Sequence, residues 1–323
     1  MTSERPPIAS VLMSVYNDER FVGLAIESIL TQTLSDFEFI IVNDGSTDGT
    51  AAILTKYAAQ DRRIKVYQQT NSGTTAAANF GLSVARGKYV ARLDSDDISH
   101  PHRLQAEVDF LEKNPGIALL GGGSEIIDAG GRIIGVRNIE TSCPSRTLLH
   151  RCIYQQSDVM FRTDVVVKLG GYREKFRNAQ DYDLWLRISE VAEIAKLDAV
   201  LGQWRLNGGG YTLSRTLEQK GEVKVIKQFA RQRRAIGRDD YASYLPPEGM
   251  KHRRNIEPGQ YKWVIALVLL QSLRLREARE IIKELRQGHA RGKYILAYVA
   301  TCMPEAMVSL MLKVRNLYLN TLA

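Results

Sequence analysis

Residues 87–97 read GKYVARLDSDD, a β-rich run, Tyr89 to Leu93, that stops at Asp94-Ser95-Asp96-Asp97. Three carboxylates crowded onto one loop repel each other unless a cation neutralises them. Oxygen-only donors select a hard ion, Mg²⁺ or Mn²⁺, which keeps part of its water and bridges to substrate phosphates. A diphosphate leaving group is the natural companion. Taken alone, the same acids could instead cap a helix predicted over Ile98 to Asn114. The neighbours of this strand end separate the two readings.

Working outward, three further strands are predicted at Ile8–Val15, Phe37–Val42 and Ile64–Gln68, each nearly continuously apolar or β-branched, as strands covered on both faces should be. Helical patterns fill the gaps. The first runs from about Glu19 to Gln32, with Val22, Ile26, Ile29 and Leu30 on one face and Asn17 or Asp18 as its cap. Strands alternating with helices predict an α/β fold with a mostly parallel sheet, whose ligands bind at the carboxyl ends of the strands. Every strand here ends in a polar loop: Tyr16-Asn17-Asp18, Asn43-Asp44-Gly45-Ser46, Asn71-Ser72-Gly73 and the acidic loop itself. All four are expected on one rim, which favours metal and nucleotide binding over capping. In the second loop the glycines let the backbone approach a ligand, and Asp44 could accept a hydrogen bond from a base N–H. A plain turn with Thr47 or Asp48 as helix cap fits the same spacing.

Beyond residue 100 the helices lengthen and a hairpin is predicted from Glu125 to Val136, turning at Gly130-Gly131. This half, residues 98–215, is expected to receive an acceptor, as residues 1–97 receive the nucleotide. Asp181 opens an amphipathic helix in NAQDYDLW, where a carboxylate could act as a general base or merely complement the helix dipole. A domain boundary is placed near 215, with Gly208-Gly209-Gly210 just upstream as a hinge.

The composition, 323 residues with 44% hydrophobic and 25% charged, excludes disordered and fibrous classes. Cys143, Cys152 and Cys302 make neither a disulfide framework nor a zinc motif, and a reducing, cytoplasmic setting is expected. The N-terminal MTSERPPIAS has no apolar core of a secretory signal, and no apolar run approaches the roughly 20 residues that span a bilayer. Charge is uneven: residues 1–215 hold 24 Lys/Arg against 26 Asp/Glu, and residues 216–323 hold 20 against 10. The basic helical tail is expected either to cap the first part or to meet anionic lipid on the inner face of the cell membrane; nucleic acid is not an expected partner.

Five ordered stretches, ASVLMSVYND, FEFIIVNDGSTDGT, TNSGTTAAANFGL, GKYVARLDSDDISHPHRLQ and GGYREKFRNAQDYDLWLR, together resemble family 2 glycosyltransferases of the GT-A fold. The likeness covers roughly residues 8–206 and leans toward the polysaccharide and exopolysaccharide branch. It implies that Val15 and Tyr16 line the nucleotide, that Asp44 contacts the base, and that Asn71 and Gly73 lie close by. It also implies that Asp94 and Asp96 form the DxD motif, with Asp96 the direct ligand of Mn²⁺ or Mg²⁺ and Asp94 shared between metal and ribose. Asp181 matches the catalytic base. Two departures stand out: Gln180 replaces the usual glutamate beside that base, and Ala78 replaces an arginine near the phosphates. The implied reaction is inverting transfer from a nucleoside-diphosphate sugar, a UDP-sugar first, to a saccharide or lipid-linked acceptor. A catalytically silent scaffold and a nucleotidyltransferase are the rival readings, the latter lacking its expected Gly-rich basic phosphate loop.

Overall fold

In a computed structural model, which describes residues 5–137, 143–207, 216–246, 257–288 and 292–312, the four predicted strands lie side by side at one end of a nine-stranded sheet. The first half runs β1 (Ala9–Val15), α1 (Val22–Leu30), β2 (Phe37–Asn43), α2 (Thr50–Gln60), β3 (Ile64–Gln68), α3 (Thr74–Val84), β4 (Tyr89–Arg92), β5 (Ile98–Ser99) and α4 (Arg103–Lys113). There follow β6 (Ile117–Ile127), β7 (Ile133–Arg137), α5 (Pro144–His150), β8 (Val159–Arg162), α6 (Thr163–Lys168), α7 (Gln180–Val191), β9 (Glu193–Arg205) and α8 (Thr216–Ile236). Further helices are α9 (Pro258–Gln271), α10 (Leu275–Gly288) and α11 (Gly292–Thr301).

The strand order is β3-β2-β1-β4-β8-β6-β9-β5, with β7 paired to β6. β1 to β4 are mutually parallel, whereas β8 runs antiparallel to β4 and β6, and β5 antiparallel to β9. The sheet is therefore mixed, with the four strands that end in polar loops parallel to one another. Period-2 alternation sends Leu12, Ile40, Val42 and Val90 to one face and Val11, Met13, Phe39, Ile41 and Ala91 to the other. Helices cover both faces. Val22, Ile26, Leu54 and Leu104 pack on the second, and Ala77, Leu82, Leu184 and Trp185 on the first. Each such buried side chain contributes about 1.5–3 kcal/mol.

Two compact units separate by contacts. Met1–Ser124, Asn138–Trp204 and Thr216–Lys251 make the first, so α8 groups with it and not with the tail in which the sequence reading placed it. Ile226, Phe229 and Ala230 of α8 are buried in the first core, where Phe176 meets Phe229, Tyr241 and Tyr244, and Phe229 meets Tyr244, at ring separations of 5.3 to 6.2 Å. The second unit is Glu125–Arg137, Arg205–Arg215 and His252–Ala323. It contains the expected hairpin turn, in which Asp128 accepts from the amides of Gly130 and Arg132 and Gly131 takes φ 85°. The Tyr261 hydroxyl donates to the carbonyl of Leu206 and accepts from the amide of Ala129. The Gly208-Gly209-Gly210 hinge lies outside the described residues.

Three capping expectations need correction. The side chains of Asn17 and Asp18 do not cap α1, which has Phe21 at its N-cap; Asp18 gives only its backbone carbonyl to the amides of Phe21 and Val22. Both side chains are engaged elsewhere, on the rim described next. The helix expected from Ile98 begins at Arg103, because Ile98–Ser99 pair with β9. The acids at 94–97 therefore cap no helix.

Candidate active site

The four strand-end loops are laced by short polar side chains. Asn17, held at φ 50°, accepts the amide of Thr47 on its Oδ1 at 2.7 Å and gives its own amide to Ser46 Oγ at 3.0 Å. These bonds tie the β1 loop to the β2 loop. Asp44 ties β2 to β3: its carboxylate accepts Gln69 Nε2 at 2.6 Å, the amide of Ser72 at 2.8 Å and the amide of Gly73 at 2.9 Å. Gly45 permits that closeness, since a Cβ there would sit 2.9 Å from the Asn71 amide nitrogen. Ser95 Oγ donates to Asp18 Oδ2 at 2.6 Å and joins the β4 loop to the β1 loop. The shared rim is thus a hydrogen-bonded structure.

The expected nucleotide-side residues fall on this rim with differing exposure. Val15 and Asp44 are buried, and Val15 gives its carbonyl to the amide of Asp44 at 2.9 Å. Tyr16 and Asn71 are exposed, and around Gly73, at φ 92°, the space a side chain would take is open.

Asp94 and Asp96 are part-exposed, whereas Asp97 is buried. A one-turn segment, Gln156–Asp158, supports their loop from the end of β8. Gln156 Nε2 donates to Asp94 Oδ1 at 2.7 Å, and Ser157 Oγ accepts the amide of Asp94 at 3.0 Å while donating to Asp97. Beneath lies Arg92, wholly buried, 4.0 Å from the Asp94 carboxylate and 5.9 Å above the ring of Tyr172. Its guanidinium hydrogen-bonds to no group among the described residues. Arg92, Gln156 and Tyr172 were not singled out in the sequence; the signal that could have found Arg92 is a charge inside an otherwise apolar strand.

Asp181 stands in the first turn of α7 and is part-exposed. Its neighbour Asp183 is wholly buried, bound to Arg187 Nε at 2.8 Å and 3.7 Å from Arg173. The two acids therefore divide, with Asp183 committed to internal ion pairs. Burial pushes the Tyr172 hydroxyl up to about 12; Arg92 opposes this, while Asp181 and Asp94 reinforce it.

Among the described residues no three His, Cys, Asp or Glu side chains are grouped to hold a metal ion. Asp94 and Asp96 would offer two carboxylates. Such a set fits Mg²⁺ or Mn²⁺, which complete their octahedra with water and substrate phosphate, and does not fit a closed protein cage. Ala78 is buried in the core with Leu12 and Leu82, so no phosphate-binding side chain projects from that position. Gln180 is buried as well.

The model of glycosyl transferase family 2 matches residues 10–169. The chain is 39% identical over 188 residues to EpsE of Bacillus subtilis, which bears the name of a glycosyltransferase, covering 57% of this chain and 67% of that one. It is 34% identical over 185 residues to the O-antigen biosynthesis glycosyltransferase WbnJ of Escherichia coli, covering 55% and 70%. Among solved structures, Staphylococcus aureus TarS 1–349 in complex with UDP shares the fold at TM-score 0.55 and 22% identity, over 91% of this chain and 89% of that one. The mannosyltransferase PcManGT of Pyrobaculum calidifontis, in complex with GDP-Man and Mn²⁺, does so at TM-score 0.55 and 17% identity, over 98% and 88%. With its α/β sheet, its acidic loop at a strand end and these relatives, the chain belongs to glycosyl transferase family 2.

Proposed function

We propose that this protein transfers a sugar from a nucleoside-diphosphate sugar to an acceptor hydroxyl in cell-surface polysaccharide synthesis, with inversion at the anomeric carbon. One observation carries the reading: the loops after β1 to β4 are bonded into a single rim that holds Asp94 and Asp96. Asp44 organises the loop that receives the base, and Val15, Tyr16, Asn71 and Gly73 border it. Asp94 and Asp96 would hold Mn²⁺ or Mg²⁺, which supplies charge stabilisation for the departing diphosphate. Asp181 takes the proton of the acceptor hydroxyl as that oxygen attacks, and Asp183 is excluded from this role by its ion pairs. A UDP-sugar is the first donor to try; TarS with UDP and PcManGT with GDP-Man and Mn²⁺ support a nucleotide donor and a metal.

In a calorimetric titration, Asp96→Ala is expected to abolish Mn²⁺-dependent binding of nucleoside diphosphate, because the diphosphate then meets Asp94 and Asp97 without a neutralising cation. Unchanged affinity in Mn²⁺ would remove Asp96 from the site. Transfer assays on a panel of nucleotide sugars separate an enzyme from a silent scaffold.

A second element of the proposal concerns lipid. No described helix is long and apolar enough to cross a membrane. Leu296, Val299, Met307, Leu310 and Met311 are exposed on the second unit, within the basic tail. They support peripheral contact with anionic lipid on the cytoplasmic side of the membrane. Flotation with anionic vesicles at low salt should exceed flotation with neutral ones and fall as salt rises. Equal partitioning into both would leave the tail as a helical cap alone.

A further inference from the structure

Ala179 occupies the N-cap of α7, and an alanine side chain offers that helix end no acceptor. The acceptor comes instead from α8. The Glu222 carboxylate, 6% exposed, accepts the amide of Arg177 at 3.1 Å on each oxygen, the amide of Asn178 at 2.7 Å, the Asn178 Nδ2 at 2.6 Å and the amide of Ala179 at 3.0 Å. Three consecutive amides thus converge on one anion. Gln219, one turn earlier on α8, donates to the carbonyl of Asn178 at 3.0 Å. Asp181 follows Ala179 by two positions. α8 lies outside residues 10–169, to which the family model is matched.

We infer that Glu222 is a positioning residue for transfer: it fixes the start of α7, and with it the direction in which Asp181 meets the acceptor. The inference rests on the reading of Asp181 as general base. A carboxylate bound to three successive amides permits little rotation of the helix start, and displacing a catalytic group by about 1 Å can cost on the order of 100-fold in rate. Glu222 does not touch the nucleotide rim, so donor binding is independent of it.

The test is a double-mutant cycle in the full chain, measuring transfer and donor KM for the parent, Glu222→Ala, Asp181→Asn and the combination. Glu222→Ala is expected to lower kcat by about 10- to 100-fold in the parent, to leave donor KM within about two-fold, and to add less than about two-fold to the loss in Asp181→Asn. Glu222→Gln keeps one acceptor oxygen and guards against a variant that fails to fold; its kcat should fall between the parent and Glu222→Ala. Equal losses in both backgrounds, a change in donor KM with kcat intact, or no loss at all would each overturn the positioning role. Full activity of Asp181→Asn would instead overturn the base assignment, so the two failures are distinguishable.

Discussion

On the side proposed to bind the nucleotide, successive βα loops hold one another: Asn17 meets Ser46 and Thr47, and Asp44 meets Ser72 and Gly73, each pair one βα unit apart. On the side proposed for the acceptor, α7 is held by a helix 43 to 45 positions downstream, through Glu222 at its start and Arg233, bound to Glu190, near its end. The first side repeats a local rule at each strand, so one loop forecasts the next. The second side depends on a partner that no neighbouring residue announces. Damage to the first should therefore be felt mainly in ligand binding, and damage to the second in catalysis and stability together.

The largest effect that could break this contrast lies in Asp181. Asp181→Asn keeps volume but cannot accept the hydroxyl proton, so single-turnover transfer should fall by about 10² to 10⁴ while donor binding persists. Were Asp183→Asn the silent enzyme and Asp181→Asn nearly fully active, the division of labour on α7 would be reversed.

Next comes stability. Asp183 is wholly buried between Arg187 and Arg173, and the Arg187 guanidinium is held below its ordinary value, by burial first and with Asp183 opposing. Asp183→Ala leaves that buried cation without its anion, and denaturant unfolding should show a loss of about 3–5 kcal/mol. A loss under about 1 kcal/mol would show that the ion pair is dispensable and that α7 does not depend on its own buried charges.

The smallest expected effect comes from a buried carboxylate outside both sets of contacts. Glu107, on α4 and wholly buried, is raised to about 7, by burial first, with Arg103 pulling it down and Asp158 pushing it up. Because its folded value lies above its unfolded one near 4.5, its contribution to stability is complete below pH 4.5 and is lost as pH rises through 7. Unfolding free energy should accordingly decline between about pH 5 and 8 by on the order of 1–3 kcal/mol, and Glu107→Gln should flatten the decline. Identical slopes in parent and variant would show that another group sets the pH dependence.

Much of this could be read in advance because it is periodic. The four strand runs and their polar ends predicted the parallel core of the sheet and put Asp44, Asp94 and Asp96 at its carboxyl edge, where the structure has them. The caps of α1 were misread because Asn17 and Asp18 are ordinary capping residues by composition, and only the approach of Thr47 and Ser95 diverts their side chains. Arg92 was hidden in a run whose apolar character dominated it, and its place under Asp94 depends on Tyr172, some 80 residues away. The basic tail was expected either to cap the first part or to meet anionic lipid, and its charge alone does not separate the two. In the fold, Arg233 is consumed by Glu190 and Asp239, and the apolar face enters the core.

That last feature sets an order of events during synthesis. Domains usually fold as units while the chain emerges from the ribosome, N-terminal part first. Here the β-rich segment through β9 is complete by Arg205, yet Phe176 still lacks Phe229, Tyr241 and Tyr244, and the start of α7 lacks Glu222. The nascent protein must hold an unfinished aromatic surface until the chain has grown past Tyr244, so a pause or a premature stop between those points releases an adhesive intermediate in place of a smaller enzyme.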